Sequence, residues 1–285
     1  MTVAEAPAVQ PGRGRGLRDV VTHRFLLRLL VRKEIQVRYR GSVLGILWSY
    51  IKPGVQFLVY YIAMGKFLKL DHGSANYAIY LFSGIIIINF FSEAFGNGAR
   101  SIVANSGLIR KIYLPRQLFP ISTVWVATVH FLPQILILLL ASLVAGWRPG
   151  PLNLVSIVLG FLIVALFSAG MGLLFACANV FFRDSENIVD MIIMVATWTS
   201  PVLYMTDMAK NAMPAWLFSL YSSNPLTVAV QLFHHGFWDP TVEGSALPPD
   251  LYPIYLPIAL ALSVATIVLG DLAFRKTEGD FAQEL

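Results

Sequence analysis

Residues 153–180 read NLVSIVLGFLIVALFSAGMGLLFACANV, twenty-eight residues without one charged side chain. A helix rises 1.5 Å per residue, so this run spans about 42 Å, more than the roughly 30 Å hydrocarbon core of a bilayer. In lipid, a helix satisfies every backbone N–H and C=O within itself. The run therefore predicts a membrane-spanning helix. Working outward, residues 77–97, 118–146, 187–206 and 251–271 repeat the pattern. A further run, 44–67, is interrupted by Lys52 and Pro53 but is long and aromatic, and counts as the first span. The expectation is an all-α polytopic membrane protein with six transmembrane helices.

Composition agrees. Apolar types make up 56% of 285 residues and charged types 13%, where soluble domains carry about 25% charge. Mean hydropathy is +0.67. The spans consume most of the chain and leave no room for a separate soluble domain. The net charge of +5 does not indicate nucleic acid, because the basic residues gather in the first 44 positions and in short loops. That placement reads as topology control and contact with anionic lipid headgroups. With the N-terminus inside, sixteen Lys and Arg fall in cytoplasmic segments and four (Lys66, Lys69, Arg148, Lys210) outside. Both termini are thus expected in the cytoplasm. Residues 1–16 read as a disordered tail rather than a signal peptide, which needs a clean apolar core. Cys177 has no disulfide partner and lies in an apolar run.

Two segments do not span. Residues 17–43 are expected to form an amphipathic interface helix ahead of a transmembrane domain over 44–285. Within DVVTHRFLLRLLVRKEIQVRYR, 19–40, Arg24, Arg28 and Arg32 share a face and Val21, Phe25, Leu29 and Leu30 occupy neighbouring faces. Glu34 and Arg38 have the spacing of a helical ion pair. Such a basic helix lies in the cytoplasmic interface. Residues 207–250 contain two apolar stretches too short to cross, punctuated by Pro214 and Pro225. They fit a re-entrant helical hairpin before the last span, or two helices flat on the outer surface.

No motif carries catalysis. There is no phosphate-cradling G-x-x-x-x-G-K-[ST], no H-E-x-x-H, no paired-cysteine metal site and no G-x-S-x-G elbow. His234 and His235 are adjacent, so they point to different faces and read as interfacial polar residues. Ionisable residues within the spans are few: Lys52, Glu93, Asp190 and Asp271. They make no relay across the bilayer. Aromatic residues are abundant instead. Tyr50, Phe57 and Tyr61 fall on one face of the first span, and Trp198, Tyr204, Trp216 and Tyr221 cluster towards the outer end. Sugar rings stack their C–H faces on such rings, so Tyr50, Phe57, Tyr61, Trp198 and Tyr204 are candidates for a glycan path. An interfacial aromatic belt is the plain alternative.

At RYRGSVLGILWSYIKP, 38–53, the chain resembles the N-terminal signature of ABC-2 type permeases that export polysaccharides and polyol phosphates. Arg38, Tyr39, Ser42, Leu44, Gly45, Leu47, Trp48 and Pro53 match in order. NSGLIRKIYLPRQLFP (105–120), FFRDSENIVDMIIMVATWTSPVLY (181–204), NPLTVAVQLFHHG (224–236) and the tail FRKTEGDFAQEL resemble further blocks of that family. The resemblance implies a homodimer paired with two copies of a separate ABC ATPase, which binds ATP and Mg, so that this chain needs no cofactor or metal. It places the chain in a bacterial plasma membrane and implies a lipid-linked glycan as cargo. The inner loops would meet the ATPase through Arg110, Lys111 and Arg116, and through Arg183, Asp184 and Glu186. Arg38, Tyr39 and Arg40 would stand where a pyrophosphate arrives at headgroup level. His234 and His235 depart from the Arg or Lys that many members carry there. The overall look is most similar to actinobacterial galactan-lipid exporters; O-antigen, teichoic acid or a small-molecule drug are alternative cargoes. A membrane-embedded glycosyltransferase would need paired carboxylates at a membrane boundary, and none is seen.

Overall fold

The computed structural model describes residues 16–70, 75–111, 114–242 and 248–284; the expected tail lies outside them, Gly16 apart. All regular structure among the described residues is helical. Helices α1 (Leu17–Thr22) and α2 (Arg24–Tyr39) precede α3 (Trp48–Tyr60), which continues as a π-helical turn, Tyr61–Phe67. Then come α4 (Tyr77–Ala104), the short α5 (Ser106–Ile109), α6 (Leu118–Val144), α7 (Pro151–Phe181) and α8 (Ser185–Trp198). The shorter α9 (Thr206–Ala212), α10 (Ala215–Ser222) and α11 (Pro225–Phe233) lead to α12 (Leu256–Thr277) and α13 (Phe281–Glu284).

Among the described residues, four helices are long and apolar enough to cross a membrane: Tyr77–Ala104, Leu118–Val144, Pro151–Phe181 and Leu251–Thr277. They match four of the six expected spans. The other two differ. Trp48–Phe67 is a continuous helical stretch but Lys52, Gln56 and Lys66 dilute its apolarity. The stretch 187–206 is not one helix: α8 ends at Trp198, after about 21 Å, and residues 199–205 leave helical geometry. Pro201 supplies the reason. It lacks an N–H and disfavours helical backbone at Ser200.

Helix α4 is the central mast. It is buried along most of its length and touches α6, α7, α8 and α11. Glycines set the closest crossings. A Cβ on Gly98 would stand 3.2 Å from the Cα of Gly172, where α4 crosses α7. A Cβ on Gly170 would meet the Ile267 backbone nitrogen at 2.5 Å, and one on Gly270 the Gly170 carbonyl at 2.8 Å, where α7 crosses α12. Without a hydrophobic drive between helices in lipid, such small-residue contacts let backbones approach. Leucines and valines of α6, α7 and α12 face outward instead, a surface that lipid would cover.

Helix α11 is buried throughout and runs antiparallel to α7. Gly160 faces Ala229 and Phe233, and Gly236 faces Asn153 and Ile157. At its start, Asn224 caps the Leu226 N–H at 3.1 Å and borders an open apolar cleft of ≈ 420 Å³ with Phe91, Phe167, Met171 and Met191.

Two packed clusters divide the molecule. The larger joins α4, α6, α7, α8, α11 and the N-terminal part of α12. The smaller gathers α1, α2, α5, the C-terminal ends of α4, α7 and α12, the N-terminal end of α6, and Phe281. It brings both chain ends together: the Leu17 N–H donates to Asp271 Oδ1 at 2.9 Å, and Arg275 pairs with Asp271 at 2.5 Å.

Replacing Gly170 by leucine should cost about 1–3 kcal/mol through overpacking. The expected readout is a lower thermal midpoint in detergent and a smaller monodisperse fraction. Gly54→Ala, where an added Cβ meets nothing within 4 Å, should leave both unchanged.

Candidate functional site

Helix α2 is held in place by a part-buried charge cluster. Glu93, on the C-terminal half of α4, accepts from Arg38 at the end of α2 and from His130 Nδ1 of α6 at 2.7 Å. The Tyr39 hydroxyl meets His130 Nε2 at 3.0 Å. With Nδ1–H given to the carboxylate, Nε2 is the acceptor for Tyr39. His130 is only 2% exposed. Gln134, one turn on, donates to the His130 carbonyl at 3.1 Å and to the Ser49 carbonyl at 3.4 Å, reaching α3. Lys33 donates to Asn105 Oδ1 at 2.6 Å, a second tie between α2 and the end of α4. Burial pushes the Tyr39 phenol above its ordinary pKa, so it stays protonated.

This arrangement departs from the expected Glu34–Arg38 pair. Glu34 is bridged by Lys33 at 3.0 Å, and Arg38 turns to Glu93. The arginine stripe of Arg24, Arg28 and Arg32 lies exposed beside Phe25 and Leu29, while Leu30 is buried inward. The helix also breaks at His23. Arg40 is exposed just past the end of α2.

The aromatic candidates divide into two groups. Phe57 stacks on Tyr61 at 5.8 Å between centroids, Tyr61 on Tyr77 at 6.5 Å, and Tyr77 on Tyr80 at 6.1 Å. Tyr80 then stacks on His234 at 3.7 Å and meets Trp238 edge-on at 5.1 Å. A continuous ladder thus joins α3, α4 and the segment after α11. Tyr50 is half-buried lower on α3 and makes no ring contact in this ladder. Trp198 is 58% exposed, and Tyr204 donates to its carbonyl at 2.8 Å.

The same tyrosines hold the break after α8. Tyr77 donates to the Leu203 carbonyl at 2.9 Å, and Tyr80 shares its proton between the carbonyls of Pro201 (2.9 Å) and Tyr204 (2.8 Å). Thr227 donates to the Thr199 carbonyl at 3.0 Å. Non-helical backbone away from water needs such partners. His234 is a core residue rather than an interfacial one: burial drives its imidazole down to about 3, so it stands neutral. Its neighbour His235 hydrogen-bonds Asp239 at 2.7 Å and Asn153 at 3.2 Å.

At the opposite end, Glu186 and Asp190 of α8 both reach Arg100 of α4, at 3.5 and 2.6 Å, and Asn179 of α7 donates to Glu186 at 3.1 Å. Arg110, Lys111, Arg183 and Asp184 are exposed on the two loops. Arg116 lies over the Phe281 ring at 5.7 Å, and Gln117 donates to Glu278 at 2.8 Å. The loop before α6 and the C-terminal tail are thereby joined. No group of three or more metal-ligating side chains occurs among the described residues.

Comparison with known proteins settles the family. The profile of the ABC-2 type transporter family matches residues 26–238. The chain belongs to the ABC-2 type transporter family. This ABC-2 chain is 30% identical over 264 residues to the O-antigen export system permease protein RfbA of Klebsiella pneumoniae, covering 91% of the chain and 95% of the relative. It is 26% identical to the protein of that name from Myxococcus xanthus over 272 residues, 95% and 99% of the two chains. The polysialic acid transport protein KpsM of Escherichia coli is 23% identical over 207 residues, 71% and 77%. These relatives are permeases and transport proteins for polysaccharides, not enzymes.

In the ABC-2 chain, sequence reasoning singled out Arg38, Tyr39 and Glu93 but not their shared partner. His130 was legible by one signal: it is the one ionisable residue in the mostly apolar VWVATVHFLPQILILLL, and ionisable groups within spans are costly unless used.

Two outcomes follow. Tyr80→Phe should destabilise by about 1–3 kcal/mol, because buried carbonyls lose their donor; a thermal scan checks it. His234 lowers stability as pH falls. Its unfolded value is 6.5 and its folded value about 3, so below pH 6.5 the unfolded chain takes a proton that the folded chain refuses. At pH 5 the loss is about 2 kcal/mol. The drop in thermal midpoint between pH 7 and pH 5 should shrink in His234→Phe.

Proposed function

We propose that this chain is the membrane permease of an ATP-driven exporter that moves an undecaprenyl-linked polysaccharide from the cytoplasm to the outer face of the bacterial plasma membrane. The observation that carries the reading is similarity to O-antigen export permeases along 91–95% of the chain. The sequence has no phosphate-cradling loop of its own, so hydrolysis falls to a separate ABC ATPase. A homodimer with two ATPase copies is the assembly we infer. The ATPase would dock at the end where the loops carrying Arg110, Lys111, Arg116, Arg183, Asp184 and Glu186 gather with both chain ends. The Lys and Arg bias assigns that end to the cytoplasm.

Six spans remain our reading, with Trp48–Phe67 as the first and α8 with its broken continuation as the fifth. We read α10 and α11 as a re-entrant hairpin, supported by the complete burial of α11 against α7. A push on the loop at Arg183–Glu186 would reach α4 through the Arg100 bridges and from there the aromatic ladder. Phe57 and Tyr61, with Tyr50, Trp198 and Tyr204 at its margins, would offer sugar rings sliding contacts of comparable strength. Arg38, Tyr39 and Arg40 sit at headgroup level, where the pyrophosphate of the carrier lipid would arrive. We favour a cell-wall galactan as polymer, on the resemblance to actinobacterial galactan exporters. O-antigen, the cargo named for the Klebsiella relatives, is the second reading.

Depleting the chain and extracting cellular lipids tests this. Undecaprenyl-linked polymer rich in galactose should accumulate several-fold inside the cell. Polymer of another sugar would overturn the galactan assignment, and simple drug sensitivity without lipid-linked polymer would overturn polysaccharide export. Phe57→Ala with Tyr61→Ala should slow export while the assembly with the ATPase persists.

A further inference from the structure

The cluster at the end of α2 contains more than a headgroup site requires. Arg38 is a cation of the interface helix, but its partner is not lipid. It is Glu93, a carboxylate on the most buried of the four long apolar helices. Glu93 is in turn gripped by His130 at 2.7 Å, and His130 by Tyr39 at 3.0 Å. Both ends of this chain of contacts therefore start on adjacent residues of α2 and meet between α4 and α6. Other polar groups facing it are Gln134, the Ser49 backbone and side chain, and Tyr50.

We propose that Glu93 is a placeholder for phosphate, and that Arg38–Glu93–His130–Tyr39 is a latch holding the interface helix closed until an anionic phosphate headgroup takes Arg38 away. This rests on the export reading above and adds the means of admission. Three features carry it. Arg38 is about one-third exposed at its side chain, so a headgroup can reach it without unfolding. Its carboxylate partner bears one charge and already shares that charge with His130, whereas a pyrophosphate presents more charge and two oxygens to a planar guanidinium. Glu93 is left hydrogen-bonded when Arg38 departs, because His130 Nδ1–H stays on it, so the exchange does not strand a bare buried carboxylate. Glu93 and His130 are positioning residues: they touch α2, not the cargo. Release of Arg38 and Tyr39 would let α2 swing away from α6, uncovering the face that carries Leu30, and open the seam beside α3.

The test follows the position of α2 in the full chain, without the ATPase. Leu30 is buried where α2 faces the inner cluster. In a Cys177→Ser background, Leu30→Cys is placed in phosphatidylcholine nanodiscs and its rate of labelling by a water-soluble maleimide is measured. The latch predicts slow labelling, accelerated at least tenfold by Glu93→Gln. The exchanged pair Arg38→Glu with Glu93→Arg should return labelling to the slow rate, which a merely misfolded protein would not do. Adding undecaprenyl pyrophosphate should accelerate labelling several-fold, and Arg38→Gln should abolish that response. Wild-type labelling in Glu93→Gln, or no response to undecaprenyl pyrophosphate, overturns the latch. Equal acceleration by phosphatidylglycerol would assign Arg38 to bulk anionic lipid and overturn the exchange with cargo. Cellular polymer that still accumulates on depletion alongside an unresponsive label would leave export standing and remove the latch alone.

Discussion

A carboxylate within an apolar helix cannot stand alone. Removing one from water costs several kcal/mol unless charge and hydrogen bonds replace the lost solvent. Glu93 is placed in that position on α4, the helix against which α6, α7, α8 and α11 are packed. Its demand is met from two directions, by Arg38 of α2 and by His130 of α6. Meeting it docks the basic helix on the bundle, fixes the tautomer of His130 and, through Tyr39, sets where the chain turns into α3. The junction of α2 with α3 depends on that group, while Lys33 on Asn105 and the Leu17 N–H on Asp271 hold the earlier turns.

A related constraint shapes the other half. The chain departs from helix between Thr199 and Met205, where several backbone carbonyls lie buried. Tyr77, Tyr80 and Thr227 supply the hydrogen bonds. Two of these, Tyr77 and Tyr80, are also rungs of the aromatic ladder running from Phe57 to Trp238. Structural repair and the suggested glycan path therefore share one ladder. Movement of α8, tied to Arg100 at its base, would shift the break and the ladder together.

The long helices were legible because each writes its own signal. NLVSIVLGFLIVALFSAGMGLLFACANV carries length and apolarity within one segment, and so does α12. The basic helix was legible too, from arginines four residues apart. Cross-chain pairings were not. Periodicity compares residues only with neighbours on the same helix, so Arg38 was matched to Glu34 rather than to Glu93, fifty-five positions away. The stretch 187–206 reads as one apolar run because hydropathy does not register the backbone effect of Pro201. His234 looked interfacial because its burial comes from Tyr80 and Gly84, distant in sequence. Among the site candidates, Phe57 and Tyr61 meet through helical spacing on α3, while Tyr50 and Trp198 share composition with them but not location. The exposed loop residues Arg110, Lys111, Arg183 and Asp184 were legible as a basic and polar loop surface, and Glu186 less so, since its partners are on α4 and α7.

These constraints suit the proposed exporter, in which cargo would be admitted beside α2 and drive would come from the loops at the same end. The most direct measurement reconstitutes the chain with its ABC ATPase in sealed proteoliposomes loaded with undecaprenyl-linked polymer on the ATPase side. The opposite leaflet is then probed with an impermeant lectin. The expected result is ATP-dependent appearance of polymer that requires both proteins. ATP hydrolysis by the complex with no polymer crossing, or crossing without this chain, would contradict it.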